Sequence, residues 1–343
     1  MTISSGKPGF REIAAAAGVS LSTVDRVMND RGGVSPARSR AVLDVARELG
    51  VSRLLPDSWQ RTCRIELVLP RNKPNNLTPF WRRMARLAQR CAQDLPSHIV
   101  VSRTMVPEGD AKAQIATILH PSAPRDALII AADTDPSVTD ALTKVMDRGE
   151  LVITVVGDVT ELPPHSYCGV DNHAMGRTAG LLMRKSARPG SRILILRANN
   201  HRHEHHERSS GFIETFGDDS VIDMILTFED VAATRETAAR ILAAGDIGGI
   251  YVTGHEPEAL GALLRAMQPR PVWISHELSA PHTQLLRDDV LDYVLDQNPQ
   301  QQILHAIWLA VRSRTDGYHD TPLPPPAEFR IYTGENLPNG MQV

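Results

Sequence analysis

The chain has 343 residues, of which 42% are apolar, 4% aromatic and 22% charged, with a net charge of −3. That length holds two or three domains, and no run of about 18 apolar residues is present to cross a bilayer. Three unclustered cysteines, Cys63, Cys91 and Cys168, read as ordinary thiols rather than a disulfide framework or a zinc site.

The charge is uneven. Residues 1–64 carry ten Lys/Arg against six Asp/Glu, a net +4, while the remainder carries 27 against 34, a net −7. A basic head on an acidic body fits a phosphate-binding module joined to a larger domain. The first residues lack the apolar core and cleavage-like segment of a secretory leader, which sets the expectation of a cytoplasmic protein.

Three short helices are predicted within residues 1–50. Ile13, Ala14 and Ala17 repeat at helical spacing, and Gly18 supplies a chain reversal. Ser20 stands where a helix N-cap belongs, with Val24 and Val27 as the buried side of the second helix. Ser35-Pro36 opens the third, whose apolar stripe is Val42, Val45, Ala46 and Leu49, and Gly50 stops it. A generic helical hairpin is the plain alternative for so alanine-rich a segment.

The residues Ile13-Ala14, Ala17-Gly18-Val19-Ser20, Thr23-Val24, Arg26-Val27, Asn29, Val34-Ser35 and Arg38 together resemble the DNA-binding headpiece of the LacI/GalR family of bacterial transcription regulators. The resemblance implies that the second helix enters the major groove. Leu21 and Ser22 would then face base edges, Leu21 through apolar contact only. Arg26 would reach a guanine or a phosphate, and Ser20, Thr23 and Asn29 would sit on phosphates; a merely solvated Arg26 is the alternative.

Two departures stand out. The family's linker helix carries a Pro-Asn…Ala-Arg-x-Leu pattern, whereas residues 51–63 offer Leu54, Leu55 or Trp59 as a groove wedge with Pro56 interrupting any helix through them. Asp25 replaces the family's usual serine and places a negative charge near DNA unless Arg26 or Arg31 offsets it.

From residue 64, short apolar runs alternate with helical stretches: 65–69, 99–101, 127–131, 151–156, 193–196, 250–253 and 272–274. This is the pattern of buried parallel strands, and their number suits two sheets. The expected fold class is therefore α/β: a three-helix helix-turn-helix headpiece followed by two doubly wound parallel-sheet subdomains, similar to periplasmic sugar-binding proteins. The expected domains are a headpiece at 1–50, an atypical linker at 51–63 and an effector domain at 64–340. Its subdomains would be 64–171 with 297–320, and 172–296 with 321–340.

Ligands of such sheets lie beyond the strands' carboxyl ends. The resemblance places effector contacts there at Phe80, Trp81, Asp133, Arg208, His255, Glu277 and Gln297. Arg208, Asp133 and Glu277 would grip hydroxyls through charge-assisted hydrogen bonds, although any one of them could be a surface ion pair.

The segment 201–207, His-Arg-His-Glu-His-His-Glu, gathers four imidazoles and two carboxylates. Metal binding, a solvent-exposed loop and histidines lining the cleft are all open readings, with a loop leading into Arg208 expected. No nucleophile elbow, P-loop or Gly-x-Gly-x-x-Gly follows a strand, so neither catalysis nor a cofactor or metal is expected. The function implied is a DNA-binding transcription regulator, expected to be a repressor. Its partners would be a near-palindromic double-stranded operator, a sugar-like or polyol effector, and a second copy in a homodimer or higher homo-oligomer, with no membrane. A sugar-binding protein without a DNA role and a metal-dependent enzyme using the histidine cluster are the alternatives.

Overall fold

Alternation of short apolar strands with helices builds two sheets, preceded in the chain by a small helical headpiece. The structure, a computed structural model, describes residues 9–29, 31–49, 51, 62–71, 79–198, 202–217, 222–227, 231–254, 257–316 and 325–338. Gly50, Leu54, Leu55, Pro56, Trp59, Thr78, His201 and His255 lie outside these residues. The chain divides into two compact units, residues 1–63 with 95–100, and residues 64–94 with 101–343.

The first unit carries α1 (Phe10–Ala17), α2 (Leu21–Met28) and α3 (Pro36–Glu48). Gly18 ends α1 in the left-handed region at φ 63°, which a side chain would strain. Ile13, Val24, Val27, Met28, Val42, Leu43 and Ala46 are buried as one cluster, fringed by Phe10, Ala14, Val45 and Leu49. Seven buried side chains make a core of modest size, in keeping with three short helices.

The second unit begins with β1 (Cys63–Arg71), α4 (Pro79–Gln93), β2 (Ile99–Pro107), α5 (Ala111–Leu119), β3 (Ala127–Ile130), α6 (Pro136–Asp147), β4 (Leu151–Thr154) and β5 (Ser166–Tyr167). Their sheet runs β2-β1-β3-β4-β5. The paired strands from β1 through β5 are parallel. Strand β3, Ala-Leu-Ile-Ile, is buried throughout, as a strand covered on both faces must be.

Next come α7 (Asn172–Ser186), β6 (Arg192–Ala198), α8 (His203–Phe216), β7 (Ile222–Thr227), α9 (Val231–Ala243), β8 (Ile247–Val252), α10 (Pro257–Arg265), β9 (Val272–His276), α11 (Ala280–Arg287), β10 (Tyr293–Asp296), α12 (Pro299–Asp316) and β11 (Arg330–Tyr332). The second sheet is ordered β11-β10-β9-β8-β6-β7 and is parallel except where β11 pairs antiparallel to β10. All seven runs expected as strands form strands; β5, β7, β10 and β11 are additional.

Helix α12 returns to the first sheet and packs against α4, β3 and β4. Strand order reverses between β1 and β3 in one sheet and between β6 and β8 in the other, and these switch points are where doubly wound sheets bind ligands.

Candidate DNA-reading face and effector cleft

On the headpiece, Ser20 is extended and its hydroxyl accepts the Thr23 N–H at 3.1 Å, fixing the start of α2. Leu21 follows with 47% of its surface exposed, although it is a large apolar residue that no fold requirement keeps outside. Ser22 and Arg26 are exposed as well. The Arg26 guanidinium rests against Gly33, where an added Cβ would stand 3.2 Å from Nη1.

Asn29 behaves differently. It is half-buried and spends its amide donors on Asp25, 3.0 Å to the carbonyl and 2.7 Å to Oδ1, so it closes the helix. Asp25 also accepts from Arg31 at 2.8 Å. Arg31 thus offsets the charge that departs from the family pattern, in an exposed pair of small energetic weight.

In the body, the residues at the carboxyl ends of β1, β3, β6, β8, β9 and β10 come together. Arg208 on α8 is fully buried. Its Nε donates to Asn172 Oδ1 and its Nη1 to the Thr253 carbonyl, both at 2.9 Å. Its Nη2 is buried and has no partner among the described residues. The helix reaches this position because α7 and α8 touch through glycines: a Cβ at Gly176 would collide with the Arg208 carbonyl oxygen, and one at Gly211 with that of His173.

Gln297, just after β10, is buried; its Nε2 donates to Glu277 Oε1 at 3.3 Å and its Oε1 is also unpartnered among the described residues. Glu277 follows β9 in a left-handed conformation, φ 69°, a strained choice for a glutamate. Burial pushes its carboxyl from 4.5 up to about 7, with Arg208 opposing the shift and Asp296, Glu204 and Glu108 adding to it. Asp133, after β3, is buried.

Phe80 and Trp81 open α4, buried edge to face with ring centroids 4.8 Å apart. The Arg202 guanidinium lies over Trp81 at 5.1 Å and pairs with Glu108 at 3.0 Å. Arg83 of α4 pairs with Asp296 at 2.5 Å. These contacts join the two sheets' ends across the cleft.

A second set of hydrogen bonds runs from one cleft residue back to another. Arg208 binds Asn172, and Asn172 Nδ2 donates to the Val156 carbonyl at 3.0 Å. The Val156 N–H donates to Gln302 Oε1 at 3.0 Å, and Gln302 Nε2 to the Gln297 carbonyl at 2.8 Å. Val156 itself has φ 72°. The chain of bonds passes through two of the crossings between the sheets, at 168–172 and 297–302.

The histidine-rich segment is corrected: His203 onward is the first turn of α8 rather than a loop, with its side chains sent apart. His205 is buried, its Nδ1 3.0 Å from the Thr253 carbonyl, and burial drives it down to about 4, so it is neutral. His206 is exposed beside Arg197, and His203 meets Glu207 at 3.4 Å. Glu204, also buried, stays ionised: burial opposes the charge, but the Arg202 and Arg208 guanidiniums outweigh it. Sequence reasoning passed over Glu204, Arg202, Asn172 and Gln302. Glu204 stands four residues before Arg208 on one helix face, and that spacing was the available signal.

Comparison with known proteins accords with this arrangement. The family model of bacterial regulatory proteins, lacI family, matches residues 10–53. That of the periplasmic binding protein domain matches residues 72–315. The chain belongs to the lacI family of regulators.

No curated protein sequence matches it. Its fold is shared with GanP, a glucose-galactose binding protein from Geobacillus stearothermophilus, at a TM-score of 0.70 and 16% identity, covering 81% of this chain and 100% of that one. It is shared with an ABC transporter solute binding protein from Burkholderia graminis C4D1M in complex with D-arabinose, at 0.71 and 17%, covering 80% and 96%. A protein assigned as a LacI transcriptional regulator from Bacteroides fragilis gives 0.69 and 15%, covering 80% and 98%. This lacI-family regulator therefore couples a DNA-binding headpiece to a ligand-binding body. No helix among its described residues is long and apolar enough to cross a membrane.

Proposed function

We propose that this regulator is a cytoplasmic repressor whose DNA affinity is set by a small sugar-like effector held between the two sheets. Arg208 carries the proposal: a fully buried guanidinium, anchored on two nitrogens and open on the third, is prepared for a hydroxylated ligand. Trp81, Phe80, Asp133, Glu277, Gln297 and His255 complete the effector contacts. Ser20, Leu21, Ser22, Thr23, Arg26 and Asn29 form the DNA face. The relatives in GanP's structural class that hold glucose, galactose or arabinose support the choice of a sugar.

The subdomain division at 64–171 with 297–320, and 172–296 with 321–340, is supported by the packing of α12 on α4 and the pairing of β11 with β10. The headpiece acts as one of a pair in a homodimer on a near-palindromic operator, with half-sites roughly 34 Å apart. No catalytic residue is assigned.

The experiment is a thermal-shift panel of neutral sugars on the full chain, followed by retention of selected duplex DNA with and without any sugar that binds. A binding sugar raises the melting temperature by mass action and alters DNA retention. A sugar that raises stability without altering retention would leave a binding protein with no regulatory role.

A further inference from the structure

The polar atoms left open in the cleft define the charge class of the effector, an inference that rests on the sugar reading above. Two of the buried polar atoms that lack partners among the described residues belong to effector-site candidates, and they differ in kind: Arg208 Nη2 can only donate, and Gln297 Oε1 can only accept. With Glu277 ionised, chemistry sets the amide orientation of Gln297, since turning it over would place its oxygen against the carboxylate that its Nε2 now serves at 3.3 Å.

The fixed charges around these atoms are lopsided. Arg202 is paired with Glu108 and Arg83 with Asp296. Among the described residues Asp133, Glu204 and Glu277 have no direct ion pair; Glu204 lies beside both Arg202 and Arg208, Asp133 near Arg202 and Glu277 near Arg208. Of the groups named, five carboxyls (Glu108, Asp133, Glu204, Glu277 and Asp296) stand against three guanidiniums (Arg83, Arg202 and Arg208), in a setting where water screens poorly.

We infer that the cleft selects a neutral ligand through hydroxyl groups that accept from Arg208 Nη2 and donate to Gln297 Oε1, and rejects sugar acids and sugar phosphates of the same shape. A hydroxyl does both tasks at once. A carboxylate or phosphate in place of the hydroxyl that spans these two atoms accepts from Arg208 but has no proton to give Gln297 Oε1, and it adds charge beside Asp133, Glu204 and Glu277. An ammonium group satisfies Gln297 and faces the Arg208 cation.

The test is calorimetry and thermal shift on the full chain with matched sets: D-glucose, D-glucuronate and D-glucose 6-phosphate; D-galactose, D-galacturonate and D-galactose 6-phosphate; D-arabinose and D-arabinonate. At least one neutral member binds, and its acidic counterparts bind at least about 100-fold more weakly. In Glu277→Gln that gap narrows at least about tenfold. In Gln297→Leu, which retains no acceptor, neutral affinity falls further than that of the acids, so a folding defect in one variant leaves the other decisive. An acid or phosphate that binds as tightly as its neutral partner overturns the inference and leaves the sugar reading standing. So does an unchanged neutral-to-acid ratio in both variants. Silence from every sugar, neutral and acidic, overturns the sugar reading and the inference with it.

Discussion

The headpiece and the cleft carry function in opposite ways. In the headpiece the side chains proposed to read DNA lie within ten consecutive residues and stand outside the core, with Leu21 at 47% exposure the clearest case. They are held by local devices such as the Ser20 cap and the Asp25–Arg31 pair. In the cleft the groups proposed to hold the effector come from strand ends far apart in sequence, and Arg208, Gln297 and Asp133 are buried and fixed by hydrogen bonds of long range. Arg208 alone reaches residues 36 and 45 positions away. A surface reader tolerates substitution structurally and loses only recognition. A buried reader fails in both respects at once.

That contrast can be broken first at Arg208. In Arg208→Ala, Asn172 Oδ1 loses its donor and the Thr253 carbonyl keeps only His205, and the expected cost is about 3–5 kcal/mol of stability together with loss of sugar binding. Denaturant unfolding and calorimetry check this; a stable variant that still binds sugar would remove Arg208 from the cleft.

Gly176→Ala should cost about 1–3 kcal/mol, because the new methyl meets the Arg208 carbonyl and α7 must move away from α8. A melting temperature within a degree or so of the parent would show that the helices can separate freely.

Arg26→Ala sharpens the other side. Affinity for a duplex selected from a random pool should fall by about 1–3 kcal/mol, with the body's unfolding transition unchanged. A salt slope shallower by about 1 would assign Arg26 to a phosphate, and an unchanged slope with relaxed selectivity to a base. No change in either quantity makes it a solvated surface arginine.

The pH dependence of stability separates the regions next. Glu277 titrates from an ordinary 4.5 in the unfolded chain to about 7 when folded, so the folded state holds the proton more tightly. Stability is therefore greatest below the unfolded value and falls as pH rises from about 5 to 8, by up to about 3 kcal/mol at the high end. Glu277→Gln should flatten that slope in unfolding experiments across this window; an identical slope would mean that another group titrates there.

The smallest effect is at Asp25. Asp25→Asn frees Arg31 and removes a negative charge beside DNA, tightening low-salt DNA binding by less than about 1 kcal/mol. A weaker complex would mean that the Asp25–Arg31 pair orders the end of α2.

The same contrast explains what the sequence revealed. Strands such as β3 and β8 are apolar along their whole length, and burial on both faces leaves no other composition. Capping serine, reversing glycine and apolar spacing made α1 and α2 readable because each signal is local. Helix α8 was missed for a physical reason. The face it buries contains Glu204, His205, Arg208 and Ser209, so a search for apolar periodicity sees a polar loop. Strand β5 has two residues and β11 three, too few for a pattern. The roles of Asn172 and Gln302 depend on which carbonyls the fold brings beside them, information that no spacing within the chain contains.

The glycine contacts between α7 and α8 also govern how the body can move. Two helices packed backbone against backbone lack the pliable side-chain layer that usually cushions a helix interface. A pull on the Arg208 guanidinium is therefore not absorbed by side chains sliding past one another. It displaces both helices together, like a plank lifted at one end, and Asn172 at the foot of α7 travels with it.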